Sequence, residues 1–241
     1  MRKTLVIVFT VLCGSAPAPV MSQTEATQKT TQPEKSASTN IVSDFLNDQK
    51  SIWTSPLHIN RGEVEWLAPI SVGTMALFAT DRQISAAAKS DTALRTPSNV
   101  ISGIGNIAPY TVPSAMWFLG TMGHNDHAAE AGRLGGEAEL NTALVVETLK
   151  FATDRRRPNL SNDQSFPSGH AASAFALAAV MSSEYHDKPL VVFGSYGFAT
   201  AVSLARVGGL NHFPSDVLVG AVIGELIGRY VVHHRAHGPE K

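Results

Sequence analysis

The chain has almost no cysteine: of 241 residues one is a cysteine, Cys13, and it falls in an N-terminal segment expected to be removed. Disulfide staples and cysteine-ligated metal centres are thereby excluded from the mature protein. Charge is sparse as well, at 16% Asp, Glu, Lys and Arg, and balanced at 19 basic against 20 acidic residues. Without Arg2 and Lys3 the count becomes 17 against 20, so bulk attraction for nucleic acid is excluded and any anion site must be local. Period-two alternation and hairpin turn signals are scarce, which argues against a sheet. Clean apolar runs of the roughly 20 residues that span a bilayer are lacking too. Trp66 to Thr80 offers 15 uncharged residues and Pro189 to Ala205 offers 17, Glu225 interrupts the last apolar stretch, and residues 96–123 are cut by Gly103, Gly105, Pro109 and Pro113. These absences favour a compact soluble bundle, with membrane association as the alternative.

What is present begins with Arg2 and Lys3, the apolar run Leu5 to Leu12 and then Gly14, Ser15 and Ala16, the layout of a secretory signal peptide. Residues 1–22 are expected to be removed, with cleavage between Ala16 and Gln23, and the protein to be exported to the periplasm or secreted. Residues 23–55 are expected to form a flexible polar linker, since Gln23 to Asn40 is almost devoid of large apolar residues. Residues 56–237 are expected to form one helical domain and 238–241 a tail. Helices are expected over Glu63–Thr80, Val112–Gly120, Ala128–Arg156, Ser168–Tyr185, Pro189–Arg206 and Pro214–His234.

Three segments carry chemistry. Lys150 and Arg157 lie seven residues apart, so on a helix they fall within about 20° of each other and can reach one anion, with Pro158 ending that helix. Taken alone, Lys150, Arg155, Arg156 and Arg157 also suit a solvated helix C-terminus. Pro167-Ser168-Gly169-His170 precedes an apolar run and puts a serine and a glycine at a helix start, where unpaired backbone N–H groups attract anions. In the third segment Gly208-Gly209 breaks a helix, His212 sits in the loop after Arg206, and Pro214 opens the next helix with Asp216 in its first turn. His212 and Asp216 can then meet. A carboxylate on one imidazole nitrogen fixes the tautomer and frees the other as a nucleophile or base.

In order and spacing these residues resemble the type 2 phosphatidic acid phosphatases, which share a helical fold with bacterial class A acid phosphatases and vanadium-dependent haloperoxidases. The pattern is Lys, six residues, Arg-Pro; then Pro-Ser-Gly-His; then Ser-Arg, five residues, His, three residues, Asp. Ala205 stands where the pattern has serine. The resemblance implies an all-α, compact multi-helix bundle and a metal-independent phosphatase acting on monoesters or diphosphates. His212 would attack phosphorus, Asp216 would hold its imidazole, and His170 would serve as general acid and base. Lys150, Arg157, Ser168, Gly169 and Arg206 would bind the phosphoryl oxygens. No metal or other cofactor is implied, and vanadate should inhibit. The substrate would be a phosphorylated small molecule. The alternative is a membrane-associated lipid phosphatase acting on phosphatidate or a polyprenyl diphosphate, and a third reading is a vanadium haloperoxidase.

His124 and His127 are assigned to a helix start, and His233, His234 and His237 to a helix C-terminus. Phe166, Trp117 and Tyr196 are assigned to the core. Glu147 and Asp154 are expected to pair with nearby cations, and the Gly132, Gly135 and Gly136 cluster to mark a close helix crossing or a helix break.

Overall fold

The computed structural model describes residues 41–55 and 61–237. The expected signal peptide, the segment 23–40 and the tail 238–241 lie outside the described residues. Seven α-helices appear there and no strand: α1 (Ile41–Thr54), α2 (Arg61–Ser90), α3 (Arg95–Met122), α4 (Asp126–Thr153), α5 (Gly169–Glu184), α6 (Pro189–Gly208) and α7 (Pro214–His237). The expected all-α class is what forms. The helices near α5, α6 and α7 were placed to within a few residues, whereas those upstream differ in instructive ways.

α1 occupies residues assigned to a flexible linker. Gln49 Nε2 donates to Asn141 Oδ1 at 2.7 Å, and Arg235 Nη2 donates to Asp48 Oδ2 at 2.9 Å, tying α1 to α4 and α7. The expected short helix at Val112–Gly120 is the last third of a 28-residue helix, α3, that runs through Pro109 and Pro113. A proline inside a helix removes one hydrogen bond and crowds the carbonyl four residues back. Here both prolines are buried, and at the α3–α4 crossing Gly135 meets the Pro113 ring and Gly132 its carbonyl, so packing overrides the local preference. Gly132 and Gly135 are thus the close crossing expected of that cluster, while Gly136 faces open space.

α5 is the central helix. Ala171, Ala172, Ala174, Ala176, Ala178 and Ala179 are all buried, so it is apolar on every side and packed by α3, α4, α6 and α7. Its tightest neighbour is α7, whose Gly220, Gly224 and Gly228 recur every four residues and face Ser168, Ala172 and Ala176. A Cβ at Gly224 would overlap the Ala172 carbonyl, which is backbone and cannot step aside. Gly224→Ala is therefore expected to destabilise the fold by roughly 1–3 kcal/mol, read as a lower thermal midpoint. An unchanged midpoint would show that the crossing is not rigid.

The outward faces are apolar. Val72 and Met75 on α2, Ile104, Ile107, Trp117 and Phe118 on α3, and Phe193 and Leu204 on α6 are exposed, as are many other large apolar side chains. Trp117, assigned to the core from sequence, stands on this outer surface at 54% exposure. Among the described residues α6 is the helix long and apolar enough to cross a membrane by length and composition, with 28% of its apolar window buried inside the protein. A core helix of a water-soluble bundle would hide most of that window. Monomeric soluble proteins rarely expose contiguous apolar patches beyond a few hundred Å², so the surface fits the membrane alternative better than the compact soluble bundle expected from run lengths.

Candidate active site

The C-terminal ends of α4 and α6 and the N-terminal ends of α5 and α7 meet at one end of the bundle, and all three motif segments lie there. α4 stops earlier than expected, at Thr153, with Asp154 in the left-handed region (φ 43°) donating its N–H to the Lys150 carbonyl. Arg157 therefore reaches the site from a loop and not from the helix face that its spacing suggested. The loop is held by local bonds: Ser165 N–H to the Arg155 carbonyl at 2.8 Å, and Asn159 N–H to the Leu210 carbonyl at 3.1 Å.

Ser168 caps α5 and its N–H donates to the Asp216 carbonyl at 2.9 Å, which seats the start of α5 on the start of α7. At Gly169 a Cβ would lie 3.3 Å from Lys150 Nζ, so a side chain there would press on the mobile end of that cation. Lys150 also pairs with Glu147 at 2.5 Å, the partnership expected of Glu147. Ala205, in the position where the related pattern has serine, is buried in the last turns of α6.

Arg206 is buried and Arg157 half-buried, and the Nε of each is enclosed with no hydrogen-bond partner among the described residues. Buried guanidinium N–H groups are almost always satisfied, so these two mark a place built for an anion. Burial lowers the Arg157 pKa, an effect that a bound anion would oppose.

His212 is fully buried in the loop between α6 and α7. Its Nδ1 lies 2.6 Å from the Ser165 carbonyl, and a carbonyl can only accept, so Nδ1 carries the proton and Nε2 keeps its lone pair. Asp216 Oδ2 is 3.9 Å from Nδ1, too far for a hydrogen bond. The expected direct His212–Asp216 bond is thus replaced by a two-step arrangement. Asp216 accepts from Ser165 Oγ at 2.5 Å and from Phe213 N–H at 2.8 Å, fixing the residues on both sides of the imidazole. Burial first, then the charges of Arg206 and Arg157, push the His212 pKa well down, which favours the neutral ring. His170, in the first turn of α5, is lowered to about 4 by burial and then by Arg206, Lys150 and Arg157. The two histidines and three cations therefore share one electrostatic environment.

Behind this cluster lies a network that the sequence did not reveal. Arg155 donates to Asp216 Oδ1 at 2.5 Å, to Ser215 Oγ at 2.8 Å and to Asp81 Oδ2 on α2 at 2.6 Å. Asp81 also accepts from Ser215 N–H at 3.0 Å and from its hydroxyl. The guanidinium sits between the Phe78 and Phe213 rings, 4.6 and 4.3 Å from their centroids. The sequence groups Arg155 with solvated cations, and nothing in the local pattern separates it from Arg156, which is exposed. The one hint at Asp81 is a carboxylate placed directly after a long uncharged stretch.

Residues set aside remain at a distance from the cluster or serve structure. Asn125 caps α4 by accepting from Ala128 N–H, and His127 pairs with Glu184 at 3.3 Å. Phe166 packs on Phe78 with ring centroids 5.8 Å apart. Tyr196 packs on Phe175 and donates to Glu225 at 2.8 Å. Among the described residues no group of three or more His, Cys, Asp or Glu is placed to hold a metal ion.

The all-helical bundle gathers three cations, a helix N-terminus and two histidines at one end, a set of groups with the chemistry to receive a tetrahedral oxyanion. The profile of the PAP2 superfamily matches residues 136–237, a span that includes every one of these groups. Over that span, the site-bearing half of the bundle, the chain is similar to the PAP2 superfamily. It is 30% identical over 129 residues to the lipid A 1-phosphatase of Porphyromonas gingivalis, which covers 52% of this chain and 29% of that protein. The chain thus spans about 29% of the length of that curated relative. Its fold is similar to the crystal structure of Aquifex aeolicus LpxE, at TM-score 0.52 and 23% identity over 65% of this chain and 94% of that one. It is also similar to a transmembrane PAP2 type phosphatidylglycerolphosphate phosphatase from Bacillus subtilis, at TM-score 0.55 and 22% identity over 83% and 96%.

Proposed function

We propose that this protein is a metal-independent phosphatase that removes phosphate from a lipid at a bilayer surface through a phosphohistidine on His212. The observation that carries the reading is the pair of enclosed, unpartnered guanidinium nitrogens of Arg157 and Arg206 beside a neutral, Nδ1-protonated His212. With Lys150 and the first amides of α5, at Gly169 and His170, they supply donors for the equatorial oxygens, whose charge spreads as the phosphoryl group transfers. His212 Nε2 attacks phosphorus, the bond to the leaving oxygen breaks, and His170 delivers a proton to that oxygen. The phosphoimidazolium keeps its Nδ1–H on the Ser165 carbonyl. In the second step His170 takes a proton from water as the water oxygen attacks phosphorus and the P–N bond breaks. A bound phosphate dianion favours the protonated form of His170 by opposing the cations that lower its pKa.

The lipid reading rests on the exposed apolar faces of α2, α3 and α6 and on the similarity to proteins named as lipid phosphatases. Residues 1–22 would act as the export signal. Two measurements on one preparation test the proposal. The protein is expected to stay with membranes until detergent is added, and to hydrolyse a phosphate monoester undiminished in excess chelator, with vanadate inhibiting. Release by osmotic shock would return the soluble alternative, and collapse in chelator would remove the metal-free mechanism.

A further inference from the structure

α2 carries none of the three motif segments, yet two of its residues, one turn apart, reach the parts of the site that hold His212. Phe78 packs its ring on Phe166, with 5.8 Å between centroids, in the loop that leads from Ser165 to the start of α5. Asp81 is buried and accepts from the Ser215 N–H at 3.0 Å and from the Ser215 hydroxyl, in the first turn of α7. Arg155 closes the set, donating to Asp81 at 2.6 Å with its guanidinium 4.6 Å from the Phe78 centroid.

The start of α7 lacks a cap of its own. The helix opens at Pro214, which has no N–H, and Phe213 stands at the capping position, its carbonyl accepting from Val217 N–H at 3.2 Å. Caps are normally Ser, Thr, Asp or Asn, whose side-chain oxygen takes a free first-turn N–H, and a phenyl ring has no such oxygen. Asp216 supplies half of a capping box by accepting from Phe213 N–H at 2.8 Å. The other half, an acceptor for a free first-turn N–H, comes from α2 through Asp81. A carboxylate there also suits the positive end of the helix dipole.

The contact that orients His212 spans two segments: Nδ1 is on the turn before α7, and the Ser165 carbonyl, 2.6 Å away, is on the loop before α5. Ser165 Oγ and Ser168 N–H join the two segments through Asp216, and α2 adds a grip on each, Phe78 on the loop and Asp81 on the turn. Resting on the phosphatase reading above, we infer that Asp81, aided by Phe78, is a positioning residue that holds the His212 turn against the Ser165 loop and so keeps Nε2 aimed at phosphorus. Neither residue touches substrate or a reacting atom.

The test uses the full chain in detergent with chelator present. Phenyl phosphate kinetics are measured for wild type, Asp81→Asn, Asp81→Glu and Phe78→Ala, with His212→Ala as the blank. The low-field proton NMR signal of His212 Nδ1–H, identified by its loss in His212→Ala, is recorded alongside thermal unfolding. Asparagine is nearly isosteric but accepts on one side only, so its NH₂ faces a donor on the other. Asp81→Asn is expected to lower kcat at least about tenfold, with KM within about threefold of wild type, and to shift or broaden that signal. Asp81→Glu, which restores the charge, is expected to recover part of kcat. Wild-type kcat and an unmoved signal in Asp81→Asn overturn the inference, and a lowered thermal midpoint beside them assigns Asp81 to stability alone. Phe78 is 44% exposed, so Phe78→Ala leaves the core closed. If Asp81→Asn yields no folded protein, Phe78→Ala decides by the same two readouts, with a fall in kcat of at least about threefold expected. Absence of wild-type turnover, or turnover that survives in His212→Ala, removes the phosphatase reading and the inference together. His212-dependent turnover unmoved by the deciding variant removes the inference alone.

Discussion

Replacing His212 with alanine is expected to lower kcat for phosphate release by roughly 10⁴-fold or more, the scale seen when a covalent nucleophile is removed. His212 is 1% exposed and its imidazole is held by the Ser165 carbonyl, so the nucleophile is fixed in place in a way that no other side chain reproduces once it is removed. KM should change far less, because the groups assigned to phosphate binding are Lys150, Arg157, Arg206 and the amides of α5. His212→Gln, closer in size, should be as inactive as alanine while keeping the loop packed, which separates lost chemistry from lost folding. Steady-state kinetics on both variants, with thermal unfolding as the folding control, make the comparison. Turnover within tenfold of wild type in either would contradict the role given to His212.

The second large effect is expected at a residue that touches no substrate. Arg155→Met removes the cation shared by Asp81 and Asp216, whose side chains are 2% and 0% exposed. Breaking a buried ion pair by removing one partner typically costs about 3–5 kcal/mol, because the remaining charge is left uncompensated. Two carboxylates are left here, so a loss toward the upper end is expected in denaturant unfolding. The same change frees Asp216 to move, and with it the Ser165 hydroxyl and carbonyl that orient His212. Misplacement on the order of 1 Å costs about 10²-fold in rate, and a drop of that order in kcat is expected where the variant still folds. Arg155→Lys keeps one charge without the planar fork and should fall between wild type and methionine in both measurements. Wild-type stability and kcat in Arg155→Met would show the network to be incidental.

These two residues mark what the sequence could and could not disclose. The chemistry of phosphoryl transfer needs particular residue types at fixed spacing, so Lys150, Arg157, Ser168, Gly169, His170, Arg206, His212 and Asp216 were legible as a set, and the fold brings their segments to one end of the bundle. How they are held was not legible. The His212 support comes from a backbone carbonyl at Ser165, which any residue could have supplied, and from Asp81, 74 residues before Arg155 in the chain. No periodicity connects such positions.

The fold divided in the same way. α5, α6 and α7 are bounded by glycine, proline and serine signals that act locally, and their limits could be read. α3 runs on through two prolines because tertiary packing against Gly132 and Gly135 outweighs local preference. Reading Pro109 and Pro113 as breaks shortened that helix and hid the longest uncharged segment, which tilted the expectation toward a soluble bundle. α1 is anchored by Asp48 and Gln49 to α4 and α7, contacts that no local signal announces.

The central claim is a covalent phosphohistidine on His212, and the most direct measurement is rapid acid-free quenching of the protein during turnover of a radiolabelled phosphate monoester, followed by peptide mapping. The account predicts a label that forms within the first turnover, is stable to base and labile to acid, lies on the peptide containing His212, and is absent from His212→Ala. A label on any other residue, or full turnover with no labelled protein at any quench time, would contradict it.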